Sequence, residues 1–134
     1  MSTLRAADVR VGVELPALDV PITTTLVVVA ALASRDFQDV HHDAELARAS
    51  GAKDVFMNIL TTNGFVGRFV TDWTGPDAIL KKVSIRLGVP NYPGDTMKLT
   101  GVVRSVEGNE IDVEVRGANA LGDHVTGTVK VQLP

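Results

Sequence analysis

Asp36 and His41 stand five residues apart in the run Arg35-Asp36-Phe37-Gln38-Asp39-Val40-His41-His42-Asp43. A carboxylate and an imidazole aimed at one point can share a water and move its proton, which is what adding water to a double bond requires. On spacing alone the pair is a weak signal, because loop Asp and His residues more often cap turns or face solvent. If the segment is extended, His42 points away from His41 and is structural. Asp39 and Asp43 read as turn and cap residues. Side chains of the adjacent His41, His42 and Asp43 diverge and no further ligand cluster follows, so no metal is expected. His124 reads as packing, and Lys53 and Arg86 as solvated surface.

The elements around the pair follow from the hydrophobic pattern. Residues 1–22 form a lead-in without a strong period. Thr23 to Ala33 is a Thr-, Val- and Leu-rich run that reads as a strand buried on both faces. A polar loop, 36–43, comes next, and Asp43 can cap a short helix from Ala44 to Ala49 that Gly51 closes. One long helix is predicted over about 55–72, with Ile59, Asn63, Val66, Gly67 and Val70 at three- and four-residue steps on a buried face. Gly64 and Gly67 in that helix predict close approach to a sheet or to a partner helix. After Pro76 the period becomes two. Strands are expected over 79–89, 96–106, 111–118 and 124–133, with turns at Pro93-Gly94-Asp95, Gly108-Asn109 and Leu121-Gly122-Asp123.

Composition removes several classes. With 134 residues the natural expectation is one domain over 1–134, large enough for a core without staples. The absence of cysteine excludes disulfides, thiolate metal sites and a cysteine nucleophile. The net charge is -3, and the only adjacent basic pair is Lys81-Lys82, so nucleic acid is not an expected partner. The longest apolar run, from Leu26 to Ala33, is far shorter than the roughly 20 residues of a membrane span, and a cytoplasmic protein is expected. A mean hydropathy of +0.16 leaves a surplus of apolar surface that suits an oligomer.

The order of elements predicts an α+β hot-dog fold, an antiparallel sheet wrapped around one long central helix. Joining two such sheets edge to edge would remove an exposed strand edge. Asp36-x4-His41 ahead of the long helix, with Pro90-Asn91-Tyr92-Pro93-Gly94-Asp95-Thr96, resembles the MaoC-like (R)-specific enoyl-CoA hydratases over about residues 23–133. The chain departs from their pattern at Gln38, where Asn is usual, at Asp39, where Pro is usual, and at Met57-Asn58, where His-Gly often opens the helix. The 35–43 segment, the Asn58 helix start and the Thr71-Asp72-Trp73 helix end resemble, within that family, the small subunits of actinobacterial steroid side-chain hydratases.

That resemblance implies a steroid-CoA substrate whose shortened side chain is the enoyl thioester, and catalysis by Asp36 and His41. It also implies an oxyanion site at the backbone of Asn58 and Ile59, with Asn63 either lining the pocket or meeting a partner. No cofactor is implied beyond the coenzyme A carried by the substrate. The partner it implies is a second MaoC-like chain in an α2β2-type assembly, with a homodimer as the other arrangement. Two further functions share the fold. A thioesterase would favour an acid on the central helix, where residues 58–71 offer none. A non-catalytic subunit completing a partner's acyl-CoA pocket would have lost the Asp/His pair.

Overall fold

The computed structural model describes residues 2–134. In chain order the elements are a 3₁₀ turn at Ala6–Asp8, β1 (Leu18–Pro21), α1 (Thr24–Ala33), a 3₁₀ turn at Asp39–His41, α2 (Ala44–Ala49), α3 (Ile59–Thr74), β2 (Ile79–Leu87), β3 (Thr96–Glu107), β4 (Glu110–Asn119) and β5 (Gly122–Gln132). The strands form one antiparallel sheet in the order β1-β3-β4-β5-β2, the expected α+β hot-dog arrangement. Single extra residues at Lys81 in β2, Arg104 in β3 and His124 in β5 break the ladder register. Such bulges bend and twist a strand, which is how a sheet curls around a helix.

Binary patterning decides which faces meet. On β4, Ile111, Val113 and Val115 are buried while Glu114 and Arg116 face outward. Across α3, Thr62, Val66, Phe69, Val70 and Thr74 turn inward. They pack with Met97, Leu99, Val103, Val125, Val129 and Val131 in one core. Burying each large apolar side chain contributes roughly 1.5–3 kcal/mol. Gly101 makes room for that packing, since a Cβ there would lie 2.9 Å from the Phe69 ring. At the other end of α3, His124 reaches in from its bulge. Its Nδ1 lies 2.7 Å from the Val89 carbonyl and its Nε2 2.8 Å from the Thr62 hydroxyl. Burial pushes this imidazole's pKa down, which favours the neutral ring, and its two bonds tie the first turns of α3 to the sheet.

Six expectations change. The run over 23–33 is a helix, not a strand. It does not alternate, and a continuous apolar run cannot be told from a buried helix by period. The Thr23 hydroxyl caps it by accepting the Leu26 N–H at 3.0 Å, and Val27 and Ala31 bury its inner face. That packing outweighs the few tenths of a kcal/mol by which each valine disfavours helix. The lead-in contains β1, whose Val20 joins the core and whose residues pair with β3. The long helix begins at Ile59, after an extended 55–58 stretch, and ends at Gly75, whose φ is 91°. Asn63 and Ile59 are exposed rather than on the buried face. A Cβ on Gly67 would touch Leu80, but around Gly64 there is open space. The third turn falls on Ala120-Leu121, one residue earlier than expected. By contrast, Asp43 caps α2 through the Leu46 N–H, as the sequence suggests.

The end of α1 sets the backbone of Asp36. Arg35 is the only non-glycine residue with positive φ, 58°, among the described residues. The Arg35 N–H donates to Leu32 O at 3.0 Å and the Asp36 N–H to Ala31 O at 2.9 Å. These two bonds are a Schellman motif, in which a left-handed residue ends the helix and the next one is fixed to its last turn. A left-handed non-glycine residue costs about 1–2 kcal/mol, and glycine would give part of that back in unfolded-chain entropy. Arg35→Gly is therefore expected to stabilise the chain by up to about 1 kcal/mol and raise Tm by a few degrees in calorimetry. A lower Tm would mean that the exposed Arg35 side chain holds something the motif does not explain.

Candidate active site

Two loops and two helix ends converge on Asp36. The 3₁₀ turn at Asp39–His41 carries the His41 ring inward, where it is 6 % exposed. His41 Nδ1 lies 2.7 Å from the Phe56 carbonyl oxygen. A carbonyl only accepts, so Nδ1 carries the proton and the neutral ring presents a lone pair at Nε2. The Phe56 ring meets the imidazole edge-on, with centroids 5.1 Å apart. Nε2 faces Asp36 Oδ2 at 3.3 Å. When His41 is neutral these are two acceptors side by side, and a water bridges them by giving one O–H to each.

Asn58 links this pair to α3. It is the N-cap residue, and its Oδ1 accepts the Thr61 N–H at 3.1 Å and the Thr61 hydroxyl. Its Nδ2 donates to Ser34 Oγ at 2.9 Å and to Asp36 Oδ2 at 3.1 Å. The Asn58 bond holds the Asp36 carboxyl below the ordinary aspartate range, against the upward push of burial; the Gln38 N–H and the nearby His41 add smaller pulls downward. Among the described residues the backbone N–H groups of Asn58, Ile59 and Leu60 have no acceptor. Together with the helix dipole they make the start of α3 attractive to negative charge.

A groove of about 440 Å3 runs between α1 and α3, lined mainly by Leu26, Ala30, Ala33, Leu60, Gly64 and Phe65. Ser34 and Thr61 also line it, and both bond Asn58, so the groove opens within two hydrogen bonds of the Asp36 carboxylate. The open space at Gly64 is this groove. Of the residues singled out from sequence, Asp36, His41, Asn58 and Ile59 come together. Asn63 faces outward, one step beyond the groove. His42 is exposed and donates to the Phe37 carbonyl at 3.2 Å, while Lys53 and Arg86 lie on the surface. No group of three or more His, Cys, Asp or Glu side chains is gathered as a metal site would need, among the described residues. Sequence reasoning gave Asn58 only through its backbone and missed Ser34 and the Phe56 carbonyl. An Asn directly before a helical pattern is a cap signature, but nothing in the sequence tells that the same amide reaches back to Asp36.

No family model matches the chain. Its sequence is 52% identical over 123 residues to the 3-oxo-4,17-pregnadiene-20-carboxyl-CoA hydratase beta subunit of Mycobacterium tuberculosis, covering 92% of this chain and 95% of that one. Its structure superposes on a chain of the ChsH1-ChsH2 complex from Mycobacterium tuberculosis with a TM-score of 0.92 and 51% identity, over 93% of this chain and 98% of that chain. The unliganded R-hydratase PhaJ1 from Pseudomonas aeruginosa superposes with a TM-score of 0.89 at 21% identity, over 98% of this chain and 86% of that chain, which speaks for the fold. Hot-dog architecture, the arrangement around Asp36 and a relative of this identity over nearly the whole chain agree: the protein belongs to the MaoC-like hydratase family.

Proposed function

We propose that this chain hydrates the α,β double bond of an enoyl-CoA thioester carried on the side chain of a steroid, through Asp36 and His41. The observation that carries the reading is the 3.3 Å approach of His41 Nε2 to Asp36 Oδ2, with the Nδ1 proton held on the Phe56 carbonyl. A water bridging the two acceptors gives its oxygen to Cβ as the imidazole takes its proton. The ionised Asp36 stabilises the imidazolium that forms. The electron pair of the double bond moves onto the thioester oxygen. That oxyanion is met by the unpaired N–H groups of Asn58 and Ile59 at the start of α3. Collapse of the enolate takes a proton at Cα from the same dyad, which returns to its starting state. No metal or redox step is needed, and the only cofactor moiety is the coenzyme A of the substrate.

The apolar groove between α1 and α3 suits the hydrocarbon part of the substrate, and its volume lies within the range of small-molecule sites. The steroid assignment and the second chain rest on the beta-subunit relative and the two-component complex it resembles. The partner in this reading is a second MaoC-like chain. The β2 edge is unpaired and exposes Ile79, Leu80 and Leu87, the kind of edge that a neighbouring sheet covers. Residues 1–134 act in it as one hot-dog domain. No described helix is long and apolar enough to cross a membrane, and the reading places the protein in the cytoplasm.

Hydration is followed by the loss of enoyl-thioester absorbance, using a steroid enoyl-CoA and crotonyl-CoA, with a MaoC-like partner co-expressed and without it. Asp36→Ala and His41→Ala are each expected to lower the rate by about 10²–10⁴-fold. Unchanged rates would sink the dyad. Release of free CoA thiol without hydration would favour a thioesterase.

Stability should also report Asp36. Its carboxyl is held below the ordinary 3.8 in the folded chain, so the unfolded chain binds that proton more readily. The stabilisation is therefore complete above the ordinary value and is lost as pH falls through the lowered one. Asp36→Asn is expected to lose less Tm than the parent on acidification below 3.8. Parallel Tm profiles would contradict the depressed carboxyl.

A further inference from the structure

We propose that Asn58 is a positioning residue for Asp36: its side-chain amide, anchored at the start of α3, fixes the rotamer in which the carboxylate faces His41. The inference rests on the dyad reading above and assigns a role to a side chain that no step of that mechanism uses.

The geometry leaves the amide no other orientation. The Thr61 N–H only donates and the Asp36 carboxylate only accepts, so Oδ1 must face Thr61 and Nδ2 must face Asp36. All four hydrogen-bonding capacities are then used, two by Thr61, one by Ser34 and one by Asp36. Asn58 is only 2 % exposed, so water does not compete for them. A helix cap needs only the bond to Thr61. The two bonds from Nδ2 are additional, and both go to the end of α1, to Ser34 and Asp36. Ser34 is itself fixed, since its hydroxyl donates to Ala30 O at 2.8 Å and lies 3.0 Å from Ala31 O.

The backbone of Asp36 is set by the Schellman motif of α1, but a backbone does not choose χ1 and χ2. The carboxylate has one other donor, the Gln38 N–H at 3.4 Å to Oδ1, which is long and two residues away. Asn58 holds Oδ2, the oxygen that faces His41. A carboxylate free to turn would leave the bridging water with one acceptor in place of two. The Asn58 bond also favours the ionised form of Asp36, the form that stabilises an imidazolium.

Two substitutions separate capping from positioning. Asn58→Ser and Asn58→Asp both keep a side-chain oxygen for the Thr61 N–H, so helix α3 stays capped. The serine hydroxyl ends one bond short of the amide nitrogen that reaches Asp36, and Asp has no N–H to give and places a second carboxylate against it. Expected are melting temperatures within a few degrees of the parent and a kcat about 10- to 100-fold lower, the worth of one hydrogen bond to a charged group. KM should stay within about twofold, because this group orients the Asp36 carboxylate rather than the substrate. The Asp36 carboxyl midpoint, followed by 13C NMR, should move up in both variants, and further in Asn58→Asp, where repulsion adds to the lost bond. If kcat and the midpoint stay at parental values, Asn58 is a helix cap alone and the inference fails. It fails equally if the lost activity only matches a lost folded fraction. Asp36→Ala and His41→Ala run alongside: if these keep full activity the dyad reading is wrong, whereas their collapse with unaffected Asn58 variants overturns positioning alone.

Discussion

Everything near the site depends on burying one face of α3 against the concave side of the sheet. The bulges at Lys81, Arg104 and His124 curl the sheet, and Phe69 fits only because Gly101 leaves it room. Once that helix is seated, its first turn has one location, pinned by Thr62 to His124. A helix start carries N–H groups that its own turns cannot satisfy. Here Asn58 satisfies one of them and, with the other half of its amide, gathers the end of α1. Hydrophobic packing thus sets the distance between two helix ends, and a few polar bonds convert that distance into the orientation of one carboxylate. The large term is insensitive to detail of an ångström, while the small polar terms are sensitive to it.

Much of this was legible in the residues because it is local. Asp43 before Ala44, Gly51 after Ser50, Gly108-Asn109 between two alternating runs and the clean alternation of β4 each specify their own geometry. Asp36 and His41 were legible as types at a spacing, and their convergence follows from a turn of five residues. Failures came where distant contacts decide. Thr23 to Ala33 has the composition of a strand, and only packing through Val27 and Ala31 selects helix. The lead-in carries too little pattern for a four-residue strand whose existence depends on β3. Asn63 lies three residues before Val66, and Gly67 follows at the next helical step, yet the buried stripe runs through Thr62, Val66, Phe69 and Val70. A rotation of the helix by about one residue step moves it outward. The Asn58–Asp36 bond joins residues 22 apart and has no sequence signature.

The Schellman bonds explain why Arg35 tolerates a left-handed backbone. Strain of about 1–2 kcal/mol at one residue is affordable where two motif bonds and the capped end of α1 over-determine the conformation. The alternative, continuing α1 by one turn, would carry Asp36 around the helix axis and away from His41. Ending the helix abruptly at Ser34 therefore does for Asp36 what the Phe56 carbonyl does for His41. Each member of the proposed pair is held from behind by backbone, and faces the other across 3.3 Å.

The outer surface of α1 bears on assembly. Helices that are apolar on every side are usually buried on every side, but α1 buries only Val27 and Ala31 fully and leaves Val29 and Leu32 half open. Ile59 and Leu60, at the start of α3, are half exposed as well. At roughly 1.5–3 kcal/mol for complete burial of each such side chain, covering the exposed half of all four is worth several kcal/mol. The β2 edge adds a row of unpaired backbone groups on the same molecule. Covering these surfaces would also lower the dielectric around the groove and around Asp36 and His41, strengthening the electrostatic terms that the proposed hydration relies on. In the proposed reaction, assembly and catalysis would be coupled through solvent exclusion.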